Sequence, residues 1–202
     1  MNNYSLESFI SFCDDMQIAE EGFKISLKNA NKVKEICKRI SVKKKGSLLR
    51  TSVDMNTVKQ FIDAVNKEFD KVVYSKVIHV TGDANYYTQR FVALSGKKIC
   101  RFDLRYDDTQ IHFFRLSDYR EMDISDSSFS SDFIMNLYGQ VLQLDHEAGN
   151  AFGSLSIKKN KIVVNSYERK LDEIYSKMKN DKYDFSLTRN GYKLVITDKK
   201  EE

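Results

Sequence analysis

KKICRFDLRY, residues Lys97 to Tyr106, is the stretch whose pattern decides the fold. Taken as an extended strand, it places Cys100, Phe102, Leu104 and Tyr106 on one side and Arg101, Asp103 and Arg105 on the other. The first set can be buried, whereas the second must meet water or a partner. Three neighbouring stretches have the same strand character: KVVYSKVIHV (Lys71 to Val80), YYTQRFVAL (Tyr86 to Leu94) and TQIHFFRL (Thr109 to Leu116). Turn residues separate them, in TGDAN (Thr81 to Asn85), at Ser95-Gly96 and at Asp107-Asp108. The spacing predicts an antiparallel meander of about four strands between Lys71 and Leu116.

Helical periodicity flanks this meander. Val33, Ile36, Cys37 and Ile40 form one stripe, with Asn29 or Asn31 as the cap. Val58, Phe61, Ile62, Val65 and Phe69 form another, capped by Asp54 or Asn56. Phe133, Ile134, Leu137, Tyr138, Val141 and Leu142 make a wide third stripe, expected to lie across the sheet as its main cover. Further upstream, SLESFISFCDDMQIA (residues 5 to 19) has helical spacing and FKISL (Phe23 to Leu27) alternates as a strand. Ser117 to Asp132 carries Asp118, Glu121, Asp123, Asp126 and Asp132 against Arg120 alone, and is expected as an exposed acidic loop.

AGNAFG (Ala148 to Gly153) marks a candidate boundary. Beyond it come a hairpin turned at Lys159-Asn160, a helix over SYERKLDEIYSKM and a second hairpin turned at Asn190-Gly191. The expected fold class is therefore α+β: a four-strand antiparallel meander covered by amphipathic helices, with a C-terminal hairpin-helix-hairpin unit. Residues 1–150 would form a helix and sheet core containing the basic segment 28–50. Residues 151–202 would form a smaller ββαββ unit, packed on or continuous with the first.

Composition narrows the class of function. A chain of 202 residues with 41% hydrophobic content can bury one sizeable core or two small ones. Cys13, Cys37 and Cys100 are odd in number and far apart, with no CxxC spacing, so neither a disulfide framework nor a zinc site is indicated. A reducing, cytoplasmic setting is expected. MNNYSLESF has no basic leader region, and no apolar run approaches the roughly 20 residues that cross a bilayer, so neither secretion nor a membrane partner is expected. Proline is absent where average usage would give about ten. Together with abundant Lys and Asn, this points to an AT-rich coding sequence of phage, mobile-element or low-GC bacterial type.

Net charge is only +4, from 33 basic and 29 acidic residues, but its distribution is uneven. Between Lys28 and Arg50 stand nine basic residues, Lys28, Lys32, Lys34, Lys38, Arg39, Lys43, Lys44, Lys45 and Arg50, against the single acid Glu35. Such a cluster attracts phosphates, because each one neutralised releases counterions. KKKGS is not a phosphate-binding loop of the GxxxxGK[ST] type. Catalytic patterns are thin. His79, His112 and His146 stand in no metalloprotease, esterase or nuclease spacing, and Cys100 with His112 could pair across adjacent strands without any local signature. No catalytic residue, metal or cofactor is indicated, and a binding protein is expected rather than an enzyme.

Two functions fit. In the first, the chain engages DNA, RNA or a nucleoprotein complex through Lys34, Lys38, Arg39, Lys43, Lys44, Lys45 and Arg50 together with an arginine and aromatic sheet face. Arg101, Arg105, Tyr86 and Tyr87 represent that face, with Tyr86, Tyr87 or Phe113 available for base stacking. In the second, it is an inhibitor or regulator of phage or mobile-element type acting on a host protein by charge complementarity, its basic segment meeting an acidic protein surface or its acidic stretch Asp118 to Asp126 occupying a nucleic-acid groove; an unrecognised hydrolase using His79 or His112 is a less favoured third reading.

Overall fold

Alternation in the Lys97 to Tyr106 stretch has the outcome its side chains dictate. In the computed structural model, which describes residues 27–40, 55–80, 86–106, 114–144, 154–166, 168–188 and 193–199, it forms strand β4 (Lys98–Tyr106). Cys100 and Phe102 are fully buried and Leu104 is nearly so. The strand sits inside a sheet made with β1 (Lys71–Tyr74), β2 (Ile78–Val80), β3 (Tyr86–Ser95) and β5 (Phe114–Asp123). Its order is β1-β3-β4-β5, with β2 also paired to β3, and every pairing is antiparallel.

Two strands differ from expectation. The stretch Lys71 to Val80 is two short strands, because Ser75 replaces regular pairing with bonds of its own. Its amide donates to the Arg90 carbonyl at 2.9 Å, its hydroxyl accepts from the Arg90 amide at 3.0 Å, and its carbonyl accepts from Gln89 Nε2 at 2.8 Å. The last strand runs beyond Leu116, so Ser117 to Asp123 is ladder and not loop. Tyr119 and Met122 are buried there on opposite sides of the sheet, a pattern that the charged residues Arg120 and Glu121 between them disguise. Ser117 is the extra residue of a bulge, since Asp103 pairs with Asp118 while Leu104 pairs with Leu116.

Helices α1 (Leu27–Ile40) and α2 (Met55–Glu68) cover one face of this sheet. They bury Ala30, Val33, Ile36, Cys37, Val58, Phe61 and Val65 against Phe91, Ala93, Cys100, Phe102, Leu104 and Tyr119. Phe91 and Phe102 stack at 5.2 Å between centroids, and Phe61 meets Phe91 edge-on at 5.5 Å. The α1 stripe is the expected one, but the helix starts at Leu27, which takes that residue from the expected strand and puts Asn29 inside the helix.

The opposite face presents Val92, Leu94, Ile99 and Met122 to α3 (Ser131–Leu144). As expected, α3 covers sheet, packing over β1 and β3. Its far side meets the C-terminal unit, β6 (Ser154–Lys158), β7 (Lys161–Asn165), α4 (Glu168–Met178), β8 (Tyr183–Thr188) and β9 (Lys193–Asp198). That unit is a hairpin, a helix and a hairpin, with strand order β6-β7-β9-β8. Ile162, Val164, Leu171, Ile174, Leu194 and Ile196 share one buried cluster with α3 and with Val92, Leu94 and Ile99 of the first sheet. Tyr183 closes the junction, 4.5 Å from the Phe133 ring and 4.8 Å from Phe129. The helix expected over residues 5–19, the rest of the strand expected from Phe23, and the Asn190-Gly191 turn lie outside the described residues.

Phe102→Ala empties a fully buried aromatic site, so it should cost about 3–5 kcal/mol of unfolding free energy. Urea denaturation checks this, and an unchanged midpoint would contradict the placement. Leu137→Asp puts a carboxylate without a partner into the cluster between the two sheets and should leave the chain unfolded or aggregated. Circular dichroism of the soluble fraction reads that outcome.

Candidate functional site

The apolar stripe of α1 determines where its charges go. With Ala30, Val33, Ile36 and Cys37 turned onto the sheet, Lys28 and Arg39 are exposed and Lys34 is half-buried along the outer side. Over its length α1 carries five basic residues, Lys28, Lys32, Lys34, Lys38 and Arg39, against Glu35. Lys32 is already engaged. Its Nζ donates to the Glu68 carbonyl at 3.3 Å and lies over the Phe69 ring at 5.5 Å, where the C-terminal carbonyls of α2 favour a cation. Arg39, seven residues on, lines a groove of about 310 Å³ with Gln60, Asp63, Ala64, Lys67 and Glu68 of α2. That groove holds two cations and two anions, so charge does not single out an anion there. The Lys38 side chain and Lys43, Lys44, Lys45 and Arg50 lie outside the described residues.

Lys32 thus meets the C-terminal end of α2, and Arg39 shares the outer groove with α2 residues from Gln60 to Glu68. Asp70, just past α2, ties that end to the β3–β4 turn: its amide donates to the Leu94 carbonyl at 2.9 Å and its carboxylate accepts from the Gly96 amide at 2.7 Å.

On the sheet itself the expected arginine and aromatic face separates into two. Arg101 is on the side of α3, half-buried, registered opposite Val92 and Arg120. Beside it Arg90 holds Asp103 with both carboxylate oxygens, at 2.7 Å each, and each side chain is only 15% exposed. Arg105 registers with Thr88 and Arg115, and Tyr86 with Val80; the Arg105 and Tyr86 side chains lie outside the described residues. Tyr87 is on the other side, half-buried and packed against the cluster under α1 and α2. The structure thus groups Lys34, Arg39 and Tyr87 on one side of the sheet and sets Arg101 on the other.

Register adds residues that the sequence pattern did not bring together. His79 pairs with Tyr87, Tyr87 with Tyr106, and Tyr106 with Phe114, so four aromatic residues on four adjacent strands form one row. The turn lies one residue later than the expected Ser95-Gly96, which would have set Tyr87 opposite Leu104. A two-residue connection at Gly96-Lys97 makes Ser95 face Lys98, and counting back from there sets Tyr87 opposite Tyr106.

Beneath α1 lies a buried polar cluster. Asn29 Nδ2 donates to Cys100 Sγ at 3.5 Å and to Glu121 Oε1 at 3.3 Å, and the Tyr119 hydroxyl donates to Glu121 Oε2 at 3.3 Å. Lys98 Nζ reaches Glu121 Oε1 at 3.2 Å from the surface. Glu121 is 3% exposed, so the expectation that it stands in a solvated loop is corrected: its carboxylate is inside, matched by a cation and two donors. Asn29 is likewise no helix cap but the link from α1 to this carboxylate. Burial pushes the Cys100 thiol up to about 11 and the Cys37 thiol up to about 12. It raises the Tyr119 phenol as well. Cys100 is therefore a neutral thiol at neutral pH and a poor nucleophile; His112, its expected partner, and His146 lie outside the described residues. Among the described residues no group of three or more His, Cys, Asp or Glu is arranged to hold a metal ion, and no helix is long and apolar enough to cross a membrane.

No protein-family model, no curated protein and no solved structure matches this chain.

The raised thiols set an alkaline limit on stability. Unfolded thiols ionise near pH 9.0, folded ones only near 11 and 12, so the unfolded chain holds fewer protons across that interval. Stability should be unaffected by these groups below about pH 8.5 and should fall as pH rises toward 11, at up to about 1.4 kcal/mol per unit for each thiol. Denaturation midpoints between pH 8 and pH 11 test this, and a flat profile would contradict the burial.

Proposed function

We propose that the protein binds nucleic acid through the outer face of α1. One observation carries this reading: burial of Ala30, Val33, Ile36 and Cys37 turns Lys28, Lys34 and Arg39 outward on a helix with five basic residues and one acid. Phosphate backbones are the polyanions that such a face suits, since neutralising each phosphate releases counterions and needs no base contact. Arg39 suits the role further, because a planar guanidinium can hold two phosphate oxygens at once. The basic sequence continues past the helix through Lys43, Lys44 and Lys45 to Arg50, which extends the charge available to a long ligand. Arg101 belongs to the other side of the sheet and is assigned no part in this contact.

The affinity should fall linearly in the logarithm of salt concentration, with a slope near 0.9 per phosphate on duplex DNA and near 0.7 on single strands, or roughly −2 to −5 for three to five contacts. Lys28→Glu, Lys34→Glu and Arg39→Glu combined should weaken binding by tenfold or more, about 1.4 kcal/mol, while leaving the thermal midpoint nearly unchanged. Fluorescence anisotropy with labelled DNA and RNA reads both. A wild-type protein that binds neither duplex nor single strands at about 50 mM salt overturns the proposal. Loss of an acidic protein partner in the same triple variant would then identify α1 as a protein-binding face.

A further inference from the structure

The C-terminal sheet has a covered side whose cover thins toward one edge. On that side Ile162 and Val164 of β7 and Leu194 and Ile196 of β9 are fully buried, whereas Phe185 and Leu187 of β8 are only half-buried. The Tyr175 ring of α4 reaches Phe185 at 6.2 Å between centroids and goes no further. On the opposite side β8 presents Asp184, Ser186 and Thr188, all exposed. One edge of β8 pairs with β9 over all six residues without a bulge, and among the described residues nothing pairs with the other.

A sheet edge is a template for a further strand, and proteins blunt it with short strands, bulges, lysines and prolines. The other edges of this molecule have such devices. Strands β1 and β2 are four and three residues long. Strand β5 has its bulge at Ser117 and charged residues at Arg115, Asp118, Arg120 and Asp123. Strand β6 is five residues long and ends on Lys158, with Lys159 next. By contrast β8 runs six residues, about 20 Å, with no bulge, no basic residue and, as everywhere in the chain, no proline. Its one charge is Asp184.

We infer that β8 pairs antiparallel with β8 of a second copy of this chain, about a two-fold axis at Phe185, so that the two C-terminal sheets become one. A two-fold contact requires a surface that fits itself, and β8 meets that requirement. In this register Phe185 faces its own copy, Tyr183 faces Leu187, and Asp184 faces Ser186 across the axis. Apolar residues thus meet apolar ones on the covered side, while on the other a carboxylate meets a hydroxyl that can donate to it. No charge meets a like charge. An axis perpendicular to the sheet keeps the covered sides of both copies together, which gives Phe185 and Leu187 the neighbours that an edge position denies them. Such pairing is independent of nucleic-acid binding by α1.

Sedimentation velocity between about 1 and about 200 μM should show the particle mass doubling as concentration rises. Ser186→Glu sets a second carboxylate against Asp184 at two symmetric places and should weaken dimerisation roughly tenfold. Adding Asp184→Lys to that variant sets a cation opposite each new glutamate and should restore the wild-type constant. Thermal melting confirms that the variants fold, since both positions are exposed. Amide exchange on the wild type reads the same contact without any substitution: protection on β8 should rise with protein concentration, and protection on β6, the other edge of that sheet, should not. A monomer at every concentration overturns the pairing, as does a dimer in which Ser186→Glu changes nothing or β8 exchange stays constant. A double variant that remains as weak as Ser186→Glu overturns the register centred on Phe185.

Discussion

Register between β3 and β4 is the constraint on which the rest of this molecule depends. Gly96 adopts φ of 61°, a left-handed conformation that glycine enters without cost, and the two-residue connection it makes with Lys97 sets Ser95 against Lys98. From that pair outward every side is decided. Phe91 stacks on Phe102 beneath α2, Arg90 grips Asp103 on the other side, and Tyr87 meets Tyr106 in line with them. A slip of one residue would turn one strand's whole apolar set from one layer to the other. The bond from Gly96 to the Asp70 carboxylate ties that turn to the end of α2, so register and helix placement support each other.

Both faces of the sheet are therefore core, and the charges had to be distributed around two layers instead of one. On the side of α1 the basic residues are outermost, with the helix between them and the sheet. On the side of α3 the sheet's own arginines lie next to aliphatic cover and are drawn into local pairing, as the bidentate Arg90–Asp103 contact illustrates. Glu121, a carboxylate taken inside, is matched by Lys98, Asn29 and Tyr119, which makes it a fastener of α1. Removing either charged partner would leave the other without its counterion, the situation that makes buried pairs costly to break.

Much of this was legible from local pattern. Alternation in Lys97 to Tyr106 gave the central strand and both of its faces, and the stripes from Val33, Val58 and Phe133 gave three helices. What escaped the sequence is what depends on partners far along the chain. Ser75 interrupts its strand through bonds to Gln89 and Arg90, which nothing in Lys71 to Val80 announces. Glu121 resembles its acidic neighbours until Asn29, 92 residues away, is placed against it. Arg101 and Lys34 both look like surface charges, yet only folding shows that a sheet separates them. The bulge at Ser117 is what aligns Tyr106 with Phe114, and a bulge shifts register without any mark in the local composition.

The outer face of α1, with Lys28, Lys34 and Arg39 turned away from the sheet, is the proposed contact surface. Amide chemical shifts recorded while a short single strand is added test it most directly. Signals from Lys28, Lys34 and Arg39 should move together along one titration curve, while those of Arg101, Arg120 and strands β6 to β9 stay in place. Shifts confined to the arginine side or to the C-terminal sheet would contradict it.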